Sequence, residues 1–268
     1  MSRIAFIGGG NMAAAIVRGL IANGAVPKDI TIVEPSAEQS ARLQAELGVK
    51  AAEEAGRACM AADIIVLAVK PQVIPAVATQ INAGADLHGK LLISIAAGVT
   101  LATLQNLFGE IAIARTMPNT PALLGLGATG LYANRHTTDI QRTEAVKIIE
   151  ALGICVTVDR EDLLDAVTAV SGSGPAYYFL MIEEMIKAGT ALGLSPDDAK
   201  ALTLQTALGA ATMAAKGDVR PEELRVRVTS PNGTTHAAIV SMQKNGFGEA
   251  ISKAMAACHD RAIELGTG

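Results

Sequence analysis

The sequence predicts an α/β fold in which a doubly wound, mainly parallel sheet is followed by an all-helical part. Three observations predict this fold class. Short β-rich runs alternate with helical stretches up to about residue 160, and a glycine-rich turn directly follows the first run. From Glu161 onward the β-type runs stop and only helical patterns remain. We therefore predict two domains, residues 1–160 and residues 161–268.

Short runs rich in Ile, Val and Leu predict the strands of the first domain. Five runs are predicted as strands, and two more are candidates to extend the sheet: 3–8, 29–33, 63–69, 90–97 and 111–116, then 128–134 and 154–159. Amphipathic stretches such as 37–47 lie between them. Continuous apolar strands separated by helices are typical of βαβ units whose sheet is covered on both faces.

The second domain is predicted to be helical throughout. The predicted helices span 161–170, 174–192, 196–216, 221–228, 234–245 and 247–265. Ser195 is a suitable N-cap, and Pro196 occupies the first helical position, which proline favours.

Two of these helices are too apolar to be exposed. No residue between Lys200 and Lys216 is charged, and the helix that begins near Pro175 is apolar on more than one face until Glu183. A helix that is apolar all round must be buried on all sides. We expect a second subunit to cover them, and the alternative is that both lie at the centre of one small bundle.

Composition excludes several classes of function. The net charge is −4 with acids and bases interspersed, so we expect no nucleic-acid partner and no anionic membrane surface. The uncharged stretch Ala201–Ala215 holds only about fifteen residues, against about 18–20 needed to span a membrane. The first strand starts near Arg3, leaving no room for a signal peptide, and a cytoplasmic location is expected.

The three cysteines are predicted to be free thiols. Cys59, Cys155 and Cys258 lie far apart, without a CxxC motif or a paired histidine. This pattern indicates buried thiols in a reducing compartment, and we predict neither a disulfide nor a metal site.

The turn after the first strand has the pattern of a dinucleotide-binding loop. In Gly8-x-Gly10-x-x-Ala13, Gly8 permits the tight turn, Gly10 lets a pyrophosphate approach the backbone, and Ala13 permits close packing of helix on strand. Free N–H groups at the helix N-terminus favour phosphate. We predict a Rossmann domain in which this loop contacts the cofactor through Ile7, Gly8, Gly9, Gly10, Asn11 and Met12.

Glu34, at the end of the second strand, bears on which coenzyme is bound. An acid here usually accepts a hydrogen bond from the adenosine ribose 2′-hydroxyl, which favours NAD because a carboxylate repels a 2′-phosphate. Ser36 and Arg42 offset that repulsion if Glu34 turns outward. The preference between NADP(H) and NAD(H) stays open, and so does the alternative that Glu34 is a solvated surface acid.

Two further loops follow strands at the edge where such sheets bind ligands. The first contains Ala68, Val69, Lys70 and Pro71, and the second contains Ala96 and Ala97. Small residues there let a nicotinamide ring lie against the backbone. Lys70 is predicted to contact the cofactor and to take no part in acid–base chemistry.

Six motifs in order along the chain resemble those of pyrroline-5-carboxylate reductases. They are GGGNMAAAI, AVKP, SIAAGVT, MPNTPA, AVSGSGPAYYF and VTSPNGTTHAAIVSMQ. The similarity runs nearly from end to end, and residues 221–243 fit the family's signature.

The resemblance implies an enzyme and an assembly. The implied enzyme transfers a hydride from NADP(H), with NAD(H) as an alternative donor, to the imine carbon of 1-pyrroline-5-carboxylate and yields L-proline, the last step of proline biosynthesis. The assembly is a homodimer with interlocking helices, or a larger ring.

The resemblance also assigns the serine- and threonine-rich loop near residue 230. Backbone N–H groups of Gly233 and Thr234, with the Ser230 hydroxyl, are expected to bind the substrate carboxylate. Thr235 is expected to reach the ring nitrogen as the catalytic hydroxyl, and Ser173 to close the pocket from the other side. His236 is expected to be structural.

Two positions depart from the family pattern. Asn232 stands where a second glycine is common, and Asn tolerates a left-handed backbone. Glu53 and Glu54 occupy a region in which many relatives place an asparagine that contacts the cofactor, so no role is transferred to them.

Two other functions remain as alternatives. A 3-hydroxyacid dehydrogenase shares the two-part plan but needs a lysine in a G-x-G-x-x-x-K segment, where this chain has Tyr178. A nucleotide-binding sensor that lost its chemistry would bind a dinucleotide and reduce no imine.

Overall fold

A computed structural model describes residues 2–266, and its first part is built on one sheet of eight strands within those residues. The strands are β1 (Ile4–Ile7), β2 (Ile30–Val33), β3 (Lys50–Ala52), β4 (Ile64–Leu67), β5 (Leu91–Ser94), β6 (Ala112–Met117), β7 (Gly127–Ala133) and β8 (Gly153–Thr157). Their order is β3-β2-β1-β4-β5-β6-β7-β8.

Helices connect the strands and then form the rest of the chain. They are α1 (Asn11–Ala22), α2 (Ala37–Leu47), α3 (Ala55–Ala61), α4 (Ile74–Gly84), α5 (Leu101–Phe108), α6 (Asp139–Glu150), α7 (Leu163–Val167), α8 (Gly174–Ala191), α9 (Pro196–Lys216), α10 (Pro221–Arg227), α11 (Thr234–Lys244) and α12 (Phe247–Gly266). Short 3₁₀ turns cover Pro27–Asp29, Pro71–Val73 and Thr120–Leu124.

The sheet is parallel except where β7 joins it. β1 pairs in parallel with both β2 and β4, and β6 with β7 is the antiparallel pair of the described strands. The direction of the chain order reverses at β1, so loops after β1 and β4 open on the crevice in which such sheets bind ligands. The predicted α/β class and all seven predicted runs are confirmed, whereas β3 was not predicted.

Each face of the sheet has its own core because successive side chains point to opposite faces. Ile4 and Phe6 pack with residues of α1 and α6, whereas Ala5 and Ile7 pack with residues of α3, α4 and α5. Phe6 is fully buried, and burying an aromatic or branched side chain of this kind contributes about 1.5–3 kcal/mol. The two cores hold the strand ends, and therefore the loops, in fixed positions.

The chain leaves the sheet through an irregular helical segment. The predicted helix 161–170 is observed as α7, and it continues as a π-helical turn over Thr168–Gly172. A side chain at Gly130 of β7 would lie 2.7 Å from a Val167 methyl group, so α7 packs directly on the strand.

The described residues form two compact units that differ from the predicted domains. The first contains the residues up to Ser173 together with those from Cys258 on, and the second spans Gly174–Ala257. Helix α12 contributes to both units. The division at residues 160 and 161, which follows the change from strands to helices, stays a prediction.

The second unit consists of helices with large exposed apolar side chains. Ser195 caps α9 as predicted, its hydroxyl oxygen accepting the Asp198 N–H at 3.1 Å. In α9 the described side chains that are buried are those of Ala199 and Thr203. Phe179 is 64% exposed and Leu208 59% exposed in the single chain, so the alternative of two central helices in one bundle is wrong.

Within residues 2–266, none of the helices combines the length and the apolar character that crossing a membrane would require.

Candidate functional site

The loop between β1 and α1 has a backbone that requires glycine at its first position. Gly8 has φ +101°, a conformation that side chains disfavour, and its N–H donates to the Val33 carbonyl at 2.8 Å. A β-carbon at Gly8 would lie 2.6 Å from the Ala68 carbonyl oxygen. The loop is therefore packed against the ends of both neighbouring strands.

Side chains from the β2–α2 connection hold the next peptide of this loop. The Gly9 N–H donates to Glu34 Oε2 at 2.9 Å, and Gln39 Nε2 donates to the Gly9 carbonyl at 2.9 Å. The other Glu34 oxygen accepts the Ser36 N–H at 3.0 Å. Glu34 is thus a half-buried acid engaged by two backbone groups, and the alternative of a solvated surface acid is wrong.

Gln39 was missed by sequence reasoning, although a signal exists. Ser36-x-x-Gln39 has the spacing of a capping box, in which the Gln side chain would return to the Ser36 N–H. Here Ser36 Oγ does accept the Gln39 N–H at 3.3 Å, but the Gln39 side chain goes to Gly9 instead. The Ser36 N–H, which the Gln39 side chain would accept in a capping box, donates to Glu34 instead.

The N-terminus of α1 is open to an anion. Gly10 is its N-cap with extended backbone, and apart from its neighbours in the chain no atom of the described residues lies within 4 Å of the position of a β-carbon there. Asn11 is exposed and Met12 half-buried, while Ile7 lies in the core. The free N–H groups and the helix dipole favour a phosphate at this point.

The loop after β4 lies beside the glycine-rich loop. The Ala68 N–H donates to the Ile7 carbonyl at 2.8 Å, which continues the β1–β4 ladder past the strand ends. Val69 and Pro71 are half-buried and Lys70 is exposed. The predicted cofactor residues of this loop therefore stand next to those of the first loop.

The turn after β5 begins at a buried serine. Ser94 Oγ accepts the Ala96 N–H at 3.3 Å, and the Ser94 carbonyl accepts the Thr116 hydroxyl at 3.0 Å. Ala96 is buried and Ala97 exposed. Because β1, β4 and β5 are parallel neighbours, all three loops meet at one edge of the sheet.

A charged network lies behind this turn and was not predicted. Glu161 Oε1 accepts both the Leu101 N–H and Arg115 Nη1, each at 2.7 Å. Asp165 lies nearby: burial raises the pKa of its carboxyl, while the charges of Arg115 and His259 act to lower it.

A cavity of about 570 Å³ adjoins Glu34 at the outer end of the sheet. It is lined by Glu34, Pro35, Ala37, Ser40, Ala41, Gln44, Ala51, Ala52 and Glu53. The charged side chains of this lining are two acids, so the cavity wall is electronegative.

The substrate loop predicted near residue 230 has the backbone needed to present N–H groups. Asn232 has φ 59°, the left-handed conformation expected of a residue in a glycine position. Gly233 is the N-cap of α11, and its own N–H donates to the Ser230 carbonyl at 3.0 Å. Thr234 and Thr235 begin the helix and are exposed.

Hydroxyls and N–H groups are brought together there without a neighbouring acid. The first turn of α11 contains no acidic residue, and no described side chain caps its N-terminus. Ser230 is exposed beside it, and His236 is exposed as well. An anion bound here would meet neutral donors and the positive end of a helix dipole.

Ser173 belongs to the other compact unit. Its N–H donates to the Thr168 carbonyl at 2.8 Å, and its hydroxyl oxygen accepts the Cys258 thiol at 3.2 Å. The assignment of Ser173 to the same pocket as the residue 230 loop stays a prediction.

The three cysteines are free thiols; Cys59 is buried as predicted, whereas Cys155 and Cys258 are half-buried. Burial raises the pKa of Cys59 to about 12 and that of Cys155 to about 11. Both therefore stay protonated at neutral pH. Over the part of the chain that the structure describes, no group of three or more potential metal-ligating side chains is found.

Comparison with known proteins places both parts of the chain. A family model described as pyrroline-5-carboxylate reductase dimerisation matches residues 161–265, and one described as NADP oxidoreductase, coenzyme F420-dependent, matches residues 3–98. A pyrroline-5-carboxylate reductase of Pseudomonas aeruginosa is 50% identical over 98% of this chain and 96% of its own length.

Two solved structures of such reductases match nearly the whole fold. The structure from Coxiella burnetii has a TM-score of 0.96 at 41% identity and covers 98% of both chains. The structure from Plasmodium falciparum, with NADP bound, has a TM-score of 0.84 at 31% identity and covers 99% of this chain and 98% of that one.

Proposed function

The chain belongs to the pyrroline-5-carboxylate reductase family of oxidoreductases, and we propose that it reduces 1-pyrroline-5-carboxylate to L-proline with NADP(H). One observation carries the proposal: an open dinucleotide loop and a hydroxyl-rich anion loop occur in one chain, each with a backbone suited to its ligand. The reaction is the last step of proline biosynthesis.

Coenzyme binding is supported by the fit of the loop between β1 and α1 to a pyrophosphate. Gly10 leaves open space at the N-terminus of α1, where free N–H groups point outward. Gly8 sets the turn that brings those groups to the strand edge. The coenzyme supplies the hydride, and Ala96 and Ala97 give its nicotinamide ring a flat surface of small side chains.

Substrate binding is supported by the arrangement of donors at the N-terminus of α11. The Thr234 N–H and the Ser230 hydroxyl hold the carboxylate of the substrate, and the Gly233 N–H contacts it in addition to its bond to the Ser230 carbonyl. The Thr235 hydroxyl then faces the ring nitrogen. We propose that Ser173 encloses the substrate from the opposite side.

Little acid–base catalysis is required of the protein. The conjugate acid of a cyclic imine titrates near neutrality, so the electrophilic form is available without a strong acid. Positioning the imine carbon against the hydride donor lowers the barrier by at most about 7–11 kcal/mol. Thr235 orients the nitrogen and relays a proton from water.

The 2′-phosphate of NADP(H) meets opposing features at the Glu34 end. Glu34 and Glu53 make the nearby cavity electronegative, which disfavours a phosphate. Ser36 offers a hydroxyl on the same connection, and the solved Plasmodium falciparum relative has NADP bound. We propose that NADP(H) is used and that NAD(H) is also accepted.

The working form is proposed to be a homodimer or a larger homo-oligomer. Residues 161–265 match a dimerisation domain, and α8 and α9 expose large apolar side chains in the single chain. A second copy that covers these helices removes that surface from water. The free thiols suit a reducing compartment, and we propose a cytoplasmic location.

Oxidation of NADPH and NADH, followed at 340 nm with and without 1-pyrroline-5-carboxylate, tests the function. The proposal expects loss of absorbance that depends on the imine. A protein that binds either coenzyme but oxidises neither would be a sensor instead. Turnover of a 3-hydroxyacid with NAD(P)⁺, and none of the imine, would favour the dehydrogenase alternative.

A further inference from the structure

We infer that Glu161 is a positioning residue for the turn that faces the nicotinamide ring. This inference rests on the proposed function, because it assumes that Ala96 and Ala97 contact that ring. The turn comprises residues 95–100, between β5 and α5. Its central residues, Ala96, Ala97 and Gly98, offer little side chain to anchor it, so its position depends on what holds its two ends.

Glu161 holds the far end of the turn. A single carboxylate oxygen accepts the N–H of Leu101, the first residue of α5, and the guanidinium of Arg115 in β6. Both distances are 2.7 Å, which is short for such bonds and typical of charge-assisted ones. The carboxylate therefore connects the start of α5 to strand β6.

The near end of the turn is held independently. Ser94 is fully buried, and its hydroxyl and carbonyl oxygens accept bonds from Ala96 and Thr116. Gly98, at the middle of the turn, has φ +73°, and a β-carbon there would lie 3.5 Å from the Leu265 carbonyl. Removal of Glu161 would thus release one end of the turn and leave the other in place.

Burial makes the pair more than a surface ion pair. The Arg115 side chain is 10% exposed and that of Glu161 is 29% exposed. A buried guanidinium requires a counter-charge, and Glu161 supplies it by direct contact. Exposed pairs such as Arg135–Glu110, with side chains 76% and 71% exposed, have much smaller effects.

Loss of Glu161 is expected to affect binding of the nicotinamide end of the coenzyme and not of its adenosine diphosphate end. The adenosine diphosphate part is assigned to the glycine-rich loop and Glu34, whose hydrogen bonds do not involve Glu161. The nicotinamide part is assigned to the turn that Glu161 positions. Loss of Glu161 should weaken binding of the whole coenzyme and spare binding of a fragment that lacks nicotinamide.

Calorimetry with a matched pair of probes tests this selectivity. NADPH and 2′-phospho-ADP-ribose differ in the nicotinamide, and each is titrated into wild type, Glu161→Ala, Glu161→Gln and the control Glu110→Ala. For Glu161→Ala we expect the Kd of NADPH to rise at least about fivefold while that of the fragment stays within about twofold. Glu161→Gln keeps an acceptor oxygen for the Leu101 N–H but not the counter-charge of Arg115, so it should recover part of the loss, and Glu110→Ala should match wild type.

Equal weakening of both probes would overturn the inference, since it would mark a general structural role, and so would unchanged binding of both. If Glu161→Ala does not fold, the double variant Arg115→Met with Glu161→Met removes both charges together and is held to the same outcomes. Wild type that binds neither probe would instead overturn the proposed function.

Discussion

At the scale of single residues, contacts between distant parts of the chain decide what the sequence could and could not predict. Glu34 was predicted because an acid at the end of the second strand belongs to a known pattern. Gln39 and Glu161 were not, because their partners Gly9 and Leu101 are 30 and 60 residues away. The capping-box spacing marks Gln39 as a candidate hydrogen-bonding residue, but a local pattern does not identify a partner that folding brings from a distant part of the chain.

Thr235→Ala should lower kcat/KM for the imine at least about tenfold, since a hydrogen bond to a charged partner contributes about 1.5–3 kcal/mol. Coenzyme affinity should not change. Thr143→Ala is the control, because that exposed hydroxyl donates to the Asp139 carbonyl within α6. Steady-state kinetics of the three proteins gives the answer, and an unchanged kcat/KM in Thr235→Ala would remove its assigned role.

Glu34→Ser should raise the ratio of kcat/KM with NADPH to that with NADH, because it removes a negative charge that repels the 2′-phosphate. A change of about fivefold is expected, which corresponds to about 1 kcal/mol. Glu38→Ser is the control, since Glu38 is an exposed acid of the same connection. A ratio that does not move, or that moves equally in both variants, would contradict the placement of Glu34 beside the ribose.

At the scale of secondary-structure elements, the hydrophobic pattern of the sequence predicted the helices and strands that are long or strongly apolar. The strand β3 was missed because Lys50, Ala51 and Ala52 carry neither β-branched nor aromatic side chains. It forms because its backbone pairs with β2, from Thr31 to Val33. The π-helical turn over Thr168–Gly172 was also missed, since its sequence follows an ordinary helical pattern.

Gly8→Ala separates two causes of failure in the glycine-rich loop. The added methyl group would clash with the Ala68 carbonyl, and alanine also disfavours the φ of +101° found at Gly8. Gly24→Ala has only the second problem: its φ is +91°, and apart from its chain neighbours no atom of residues 2–266 lies within 4 Å of the new β-carbon. Both should lose about 1 kcal/mol or more of stability in urea unfolding. Gly8→Ala should also abolish coenzyme binding, and normal binding by that variant would show that the loop is not the pyrophosphate site.

At the scale of the whole molecule, the apolar helices were the sequence feature that pointed beyond one chain. Their uncharged run predicted a covered surface, and the structure exposes that surface in the single chain. The sequence did not predict that the residues from Cys258 on return to the first compact unit. A helical pattern gives the length of α12 but not what its last turns pack against.

Leu208→Asp should convert the assembly to monomers, because it places a charge on a helix surface that a second copy is proposed to cover. Ile140→Asp is the control: Ile140 is 75% exposed on α6, in the other compact unit. Sedimentation velocity at a fixed protein concentration distinguishes them. A Leu208→Asp protein with the mass of wild type would place the interface elsewhere.

The central claim is that one chain binds a nicotinamide coenzyme and a cyclic imine and passes a hydride directly between them. The most direct test uses NADPH deuterated at the transferred C4 position, with 1-pyrroline-5-carboxylate in ordinary water and mass spectrometry of the product. We predict proline with one deuterium on the ring carbon that was double-bonded to nitrogen. Proline without deuterium, or no proline from protein that binds the coenzyme, would contradict the claim.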